Sequence, residues 1–235
     1  AINMANADGI NIVSTQGASS GTLAISSAAD GFALLSNALS SANTTISLLN
    51  DLGTDDTVNL AYKATDGFTD GSTTKTIANV ENIVITTDDS NTVAATTPFT
   101  SIITADSAVT VTVSGDAGFN AGSGLGATTL TSFDASGVTA TGAGGAVTLT
   151  TGALAAAADL KGGAGTNTID AGNATKAVTI TGGAGLDALS GGAGDDVING
   201  GDGGTTGVGL VGGAGADTIT GGSGTDTITG GAGAD

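Results

Sequence analysis

Three stretches decide the fold: GGAGDDVIN at 191–199, GGAGADTIT at 212–220 and GGSGTDTIT at 221–229. GGAGTNTID at 162–170 and GGAGLDALS at 182–190 have the same form, and a partial copy, GGAGAD, stands at 230–235. The shared pattern is G-G-x-G-x-D-x-U-x, with U apolar. Two longer units keep the count between the copies. AGNATKAVTIT at 171–181 reads as a degenerate unit of eleven residues, and GGDGGTTGVGLV at 200–211 as one of twelve without Asp at its sixth place. Repetition at a short fixed period marks a stack of like coils, each of which buries its apolar side against its neighbours.

Each nonapeptide divides into a turn of six residues and a strand of three. Paired glycines admit positive φ, and a third lets adjacent turns approach closely. Carbonyl oxygens in such a turn converge, and the sixth-position Asp adds a carboxylate. An all-oxygen set suits a hard cation, and calcium is the ion expected. The apolar place is filled by Ile169, Leu189, Ile198, Ile219 and Ile228. One such side chain per unit is worth roughly 1.5–3 kcal/mol when buried, and the stacked carboxylates repel one another. A divalent ion between turns reverses that repulsion, so its binding energy becomes folding energy.

Register gives the candidate ligands. If successive units form opposite sides of a flattened coil, Asp217 and Asp235 face one site, 18 residues apart. Asp196 and Asp217 are 21 apart, the extra three being those of the long unit at 200–211. On the other side, Asp187 and Asp226 are separated by the imperfect turn at 200–205. There either Asp202 substitutes for the missing ligand or the site is weak. Asn167 keeps an oxygen at the sixth place but lacks the charge, so the first turn is expected to bind less tightly.

Composition excludes much else. The 235 residues hold 42 Gly, 1 Pro and no Cys, His, Trp or Arg, with 22 acidic residues against 4 Lys and a net charge of −18. Zincin proteases, Ser-His-Asp hydrolases, thiol enzymes, zinc fingers and arginine-finger chemistry are thereby removed. Ser and Thr are plentiful, but no base stands ready to activate one. No catalytic residue and no organic cofactor is expected. So acidic a chain repels a nucleic-acid backbone, and no apolar run is long enough to span a membrane as a helix. Aromatic residues are 3% of the chain, so large buried rings are not expected to fill the core. Lys63, Lys75, Lys161 and Lys176 are expected to be solvated. The sequence begins in mid-pattern and stops inside a repeat, as a piece of a longer protein would.

Upstream of the repeats, NIVITT (82–87), AVTVTVS (108–114), TTLTSFD (128–134) and AVTLTT (146–151) alternate apolar and polar residues as half-buried strands do. The centres near Val111, Leu130 and Leu149 lie 19 residues apart, the spacing of a coil. Three regions are expected: an irregular β-rich region at 1–77, a solenoid-like region with loose turns at 78–160, and the calcium-binding block at 161–235. AADGFALLSNALSSA at 28–42 reads as a short helix. DLGTDD (51–56), TDGFTDG (65–71) and TDDS (87–90) read as solvated turns, with calcium loops as the rarer alternative. Asp134 reads as a turn residue. The fold class is all-β: a parallel β-solenoid ending in a calcium-binding roll, preceded by a less regular β region.

The G-G-x-G-x-D units resemble those of the repeats-in-toxin (RTX) family, whose members leave Gram-negative bacteria by type I secretion. In that family the ion sits between turns of a parallel β-roll. The resemblance implies Asp187, Asp196, Asp217, Asp226 and Asp235 as carboxylate ligands. It implies backbone oxygens from Gly192, Gly194, Gly213, Gly215, Gly222 and Gly224. NVENIVITT (79–87) and TSFDASGVTATG (131–142) are similar to segments of alphaproteobacterial surface-layer proteins of the Caulobacter kind, in the same order before the repeats. That resemblance implies a calcium-dependent lattice on the outer cell surface. Its partners would be further copies of the chain and a surface polysaccharide. An RTX adhesin or matrix filament subunit is the alternative, and the C-terminal part of an RTX exoenzyme a more distant one.

Overall fold

The computed structural model describes residues 56–64, 69–89, 95–121, 124–203 and 207–235. Before them it describes the strands Ile2–Asn3, Asn11–Ser14, Thr22–Ala28, Phe32–Ser36 and Asn43–Leu48. Every regular element among these residues is a β-strand. Successive strands go to alternate sheets. One sheet has 11 strands, from Ile2–Asn3 to Thr227–Ala232; the other has 10, from Asn11–Ser14 to Thr218–Thr220. All pairings within both sheets are parallel, as in the neighbours Asn82–Asp89 and Thr110–Gly115. The chain is a parallel β-solenoid, and the same two sheets run through all three regions of the sequence.

Strand alternation builds the core. In one sheet Val58, Ile83, Val111, Phe133, Leu160, Ile180, Ile198 and Ile219 stand in register, one above the next. In the other, Leu149, Ile169, Leu189, Leu210 and Ile228 do the same. Their polar neighbours, such as Thr179 and Thr181, point outward, because successive side chains of a strand face opposite ways. Ile228, in the last described strand, is 48% exposed.

The coils are shortest in the repeat block. Upstream, ladder partners on neighbouring coils lie 20 to 31 residues apart, as in Phe99–Phe119 and Thr45–Thr76. In the repeat block they lie 18 to 21 apart. The nonapeptide pair is thus the minimal coil, and upstream coils carry extra loop residues.

Several expectations are corrected. The 28–42 helix is not formed among the described residues: Ala28 ends a strand and Phe32–Ser36 is a strand paired with Val58–Tyr62, while 29–31 and 37–42 lie outside the described residues. Ala and Leu favour helix locally, but a parallel ladder satisfies every backbone group and overrides so weak a preference. The strand expected at 128–134 is Ser132–Val138, and Val111 pairs with Phe133 rather than standing one coil below Leu130. Leu149 belongs to the other sheet. Asp134 lies in that strand, where its carboxylate accepts from the Ser136 amide at 2.9 Å. The Ser136 hydroxyl is its first stabilising partner and holds its pKa low.

The core does contain rings. Tyr62, Phe99, Phe119 and Phe133 are fully buried, with Tyr62 centred 6.1 Å from Phe99 and 5.4 Å from Phe119. Lys75 is buried too: its Nζ lies 5.6 Å from the centre of the Tyr62 ring and 3.2 Å from Ser101 Oγ. Burial lowers its pKa to about 8. The inward register of Lys75 beside Ile77 decides this, not its charge. Lys63 contacts Asp88, and Lys161 lies 3.0 Å from Asp159, both on the outside. Of the acidic runs, 51–55 and 65–68 lie outside the described residues. Thr69–Ala78 and Asn82–Asp89 are strands, so Asp88 and Asp89 end a strand instead of forming a turn.

Candidate metal centre

Asn167, Asp187, Val208 and Asp226 form one row along the roll, each a coil beyond the last, because Thr168, Ala188, Gly209 and Thr227 pair in series. Val178, Asp196 and Asp217 form a second row on the opposite side, through Thr179, Val197 and Thr218. Asp235 extends that row by a contact with Asp217.

Each Asp joins its coil to the one before. Oδ1 of Asp187 accepts from the Asn167 amide at 2.8 Å, and Oδ1 of Asp196 from Val178 at 2.8 Å. The same bond links Asp217 to Asp196 at 2.9 Å, Asp226 to Val208 at 3.0 Å and Asp235 to Asp217 at 3.2 Å. The second oxygen is placed differently. Oδ2 of Asp187, Asp196 and Asp217 is buried and has no hydrogen-bond partner. These residues are only 3%, 1% and 5% exposed.

Such orphaned carboxylate oxygens are costly in a dry interior. Their neighbours raise the cost. On one row, Gly212 O and Asp196 Oδ2 crowd the place a Cβ on Gly191 would take, and Gly230 O and Asp217 Oδ2 crowd that of Gly212. Any side chain on these first glycines would displace the carboxylate. Burial pushes the Asp187 carboxyl up to about 6 and raises that of Asp196 as well. Oxygen gathered against oxygen, with no donor between, fits a bound cation. Among the described residues no three acidic side chains gather at one place. A cation would therefore be held by pairs of carboxylates completed with turn carbonyls, which suits calcium's preference for many oxygens.

Residues 179–206 and 210–235 match the RTX calcium-binding nonapeptide repeat, in four copies. These repeats bind calcium. No match was found among curated proteins. The matched coils carry Asp187, Asp196, Asp217, Asp226 and Asp235, and the residues present fit the ion.

The expected backbone ligands lie in the turns. Gly192 and Gly194 belong to the Asp196 turn, Gly213 and Gly215 to that of Asp217, and Gly222 and Gly224 to that of Asp226. Gly213, at φ +124°, passes so close to Gly192 O that a Cβ would overlap it. Sequence reasoning missed the carbonyls of the first glycines, Gly182, Gly200, Gly212 and Gly230. Their signal in the sequence is the Gly that heads every unit from 162 on except the degenerate one at 171–181.

Asp202 does not join either row. It bridges Ala184 and Ser223, the third residues of neighbouring turns, and its exposed carboxylate contacts the Ser223 hydroxyl. The sixth place of the long unit is held instead by Val208, whose Cγ2 methyl fills the space over Gly200 that a carboxylate fills elsewhere. That row is therefore interrupted between Asp187 and Asp226. Asp196, Asp217 and Asp235 form the unbroken row.

Proposed function

We propose that the protein is a structural, calcium-dependent surface-layer protein, exported by type I secretion, that self-assembles into a lattice on the outer cell surface. It acts as a building element and not as a catalyst. The observation that carries this reading is the continuity of the solenoid. The calcium-binding coils share both sheets with the strands before them, so ions bound at one end stiffen a single rod. The segments at 79–87 and 131–142 that resemble surface-layer proteins lie inside that rod, at Asn82–Asp89 and Ser132–Val138.

The outer faces supply chemistry for neighbours. Asp134, Asp159 and Lys161 form a mixed-charge patch, with Lys161 3.0 Å from Asp159 and 3.9 Å from Asp134. Strand edges exposed at the end of a solenoid favour pairing with another chain. Further copies of the chain are the main partner, and a surface polysaccharide is the proposed anchor. No described helix is long and apolar enough to cross a membrane.

Electron microscopy of the purified protein with and without calcium tests the reading. Ordered sheets that form only with calcium are expected. Filaments would favour a matrix or adhesin subunit instead, and dispersed particles in both conditions would overturn self-assembly altogether.

A further inference from the structure

Asn167 stands at the sixth place of the first unit, fully buried, where later units carry Asp. Its side chain does more than replace a weak ligand. Nδ2 lies 3.1 Å from Gly163 O, 2.9 Å from Gly165 O, 3.0 Å from Gly182 O and 2.9 Å from Asp187 Oδ1. Three carbonyls and a carboxylate thus converge on one nitrogen. The other end of the amide is also used: Gly163 donates its N–H to Asn167 Oδ1 at 3.2 Å. This fixes the orientation of the amide, since the flipped group would set an oxygen against four oxygens and an NH2 against a donor.

The position of that nitrogen is informative. Over Gly162 the nearest side-chain nitrogen is Asn167 Nδ2; over Gly182, Gly191 and Gly212 the corresponding atom is Oδ2 of Asp187, Asp196 and Asp217. In the later coils the atom is an orphan among oxygens. In the first coil it is a donor, and its two hydrogens are shared among oxygens of the same kind. One N–H2 group supplies what a cation must supply elsewhere.

We propose that the Asn167 amide takes the place of calcium between the coils at 162–170 and 182–190. The junction is closed without metal and forms a permanent seat on which the calcium-dependent coils stack. The seat joins two regimes. Behind it, Thr168 donates to Val147 O at 2.8 Å in a coil held by its apolar core. Ahead of it, Ala188 donates to Asn167 O at 2.9 Å, opening the row that reaches Asp187. A polar contact of this kind sets the register of the later coils, because a neutral donor can meet this ring of oxygens in one alignment only.

Residue-resolved hydrogen exchange with and without a chelator tests the proposal on the whole chain. In the wild type, the amides of Asn167, Thr168 and Ala188 are expected to stay protected when calcium is removed, while that of Thr218 loses protection. Asn167→Asp turns the junction into one that needs an ion: its three amides lose protection in chelator and recover it with calcium. Asn167→Ala offers neither donor nor ligand, so protection there is lost in both conditions. Three results would overturn the proposal. One is loss of the wild-type junction together with Thr218. Another is an Asn167→Asp junction indifferent to calcium. The third is full rescue of Asn167→Ala by the ion.

Discussion

Chelation of calcium is expected to strip amide protection from the coils at 191–235 and to leave Asn82–Asp89, Thr110–Gly115 and Ser132–Val138 protected. The two parts differ in what holds them. Upstream, the interior is filled by Val111, Phe133 and Leu160 in one ladder and by the packed rings of Tyr62, Phe99 and Phe119. Burial of rings of that size stabilises a coil without help. Downstream, the half-coils bury little: Ile198 in one, Val208 and Leu210 in the next, with Ile219 partly buried and Ile228 half exposed. Against that small gain stand the buried, unpartnered Oδ2 atoms of Asp187, Asp196 and Asp217. Without a cation the interior there holds repelling oxygens, and ordering Gly-rich turns is entropically costly. With it, the binding energy is folding energy. Hydrogen exchange and far-ultraviolet circular dichroism read the outcome: a partial loss of β signal, confined to the C-terminal coils. Loss throughout the chain, or none at all, would show that the core and the ion do not divide the work in this way.

The second large effect is expected at Asp217. It is the middle member of the unbroken row, accepting from the Asp196 amide while its own amide donates to Asp235. It therefore faces both intercoil gaps. Asp217→Ala removes one carboxylate from each, and the calcium concentration needed for half-folding is expected to rise by roughly 10–100-fold or more, given what even indirect partners of a metal contribute. Asp195→Ala is the matched control. It changes the net charge equally and lies beside the row, but its exposed carboxylate accepts from the Ala216 amide on the outside. Only a small shift is expected there. Equal shifts for both variants would mean that the overall negative charge, and not the row, governs calcium dependence.

Much of this arrangement was legible in the repeat. The spacing of Asp196, Asp217 and Asp235 predicted which carboxylates share a side, and the three extra residues at 200–211 were correctly absorbed as a lengthened turn. For the long unit the sequence leaves two alternatives, Asp202 as a substitute ligand or a weak site, and the fold removes the first: the sixth place falls on Val208 because the insertion precedes it. Composition does not reveal the rings. Five Phe and one Tyr are few for 235 residues, yet a narrow solenoid needs few, and it concentrates them at inward positions of adjacent coils. Lys75 departs from expectation for a related reason, since its residue type indicates solvent while strand parity turns it inward beside Tyr62. From the sequence alone Asn167 is a weakened ligand. Its role as a donor depends on four oxygens from two coils, and only the folded register brings those together.

The most direct test of the account is the location of the ions themselves. Crystals grown with calcium, examined by anomalous scattering, should show ions between the turns that carry Asp196 and Asp217, and between those that carry Asp217 and Asp235. No ion should lie between Asn167 and Asp187. Ions held instead by the outward carboxylates of Asp195 or Asp202, with the Asp196–Asp217–Asp235 row empty, would contradict it.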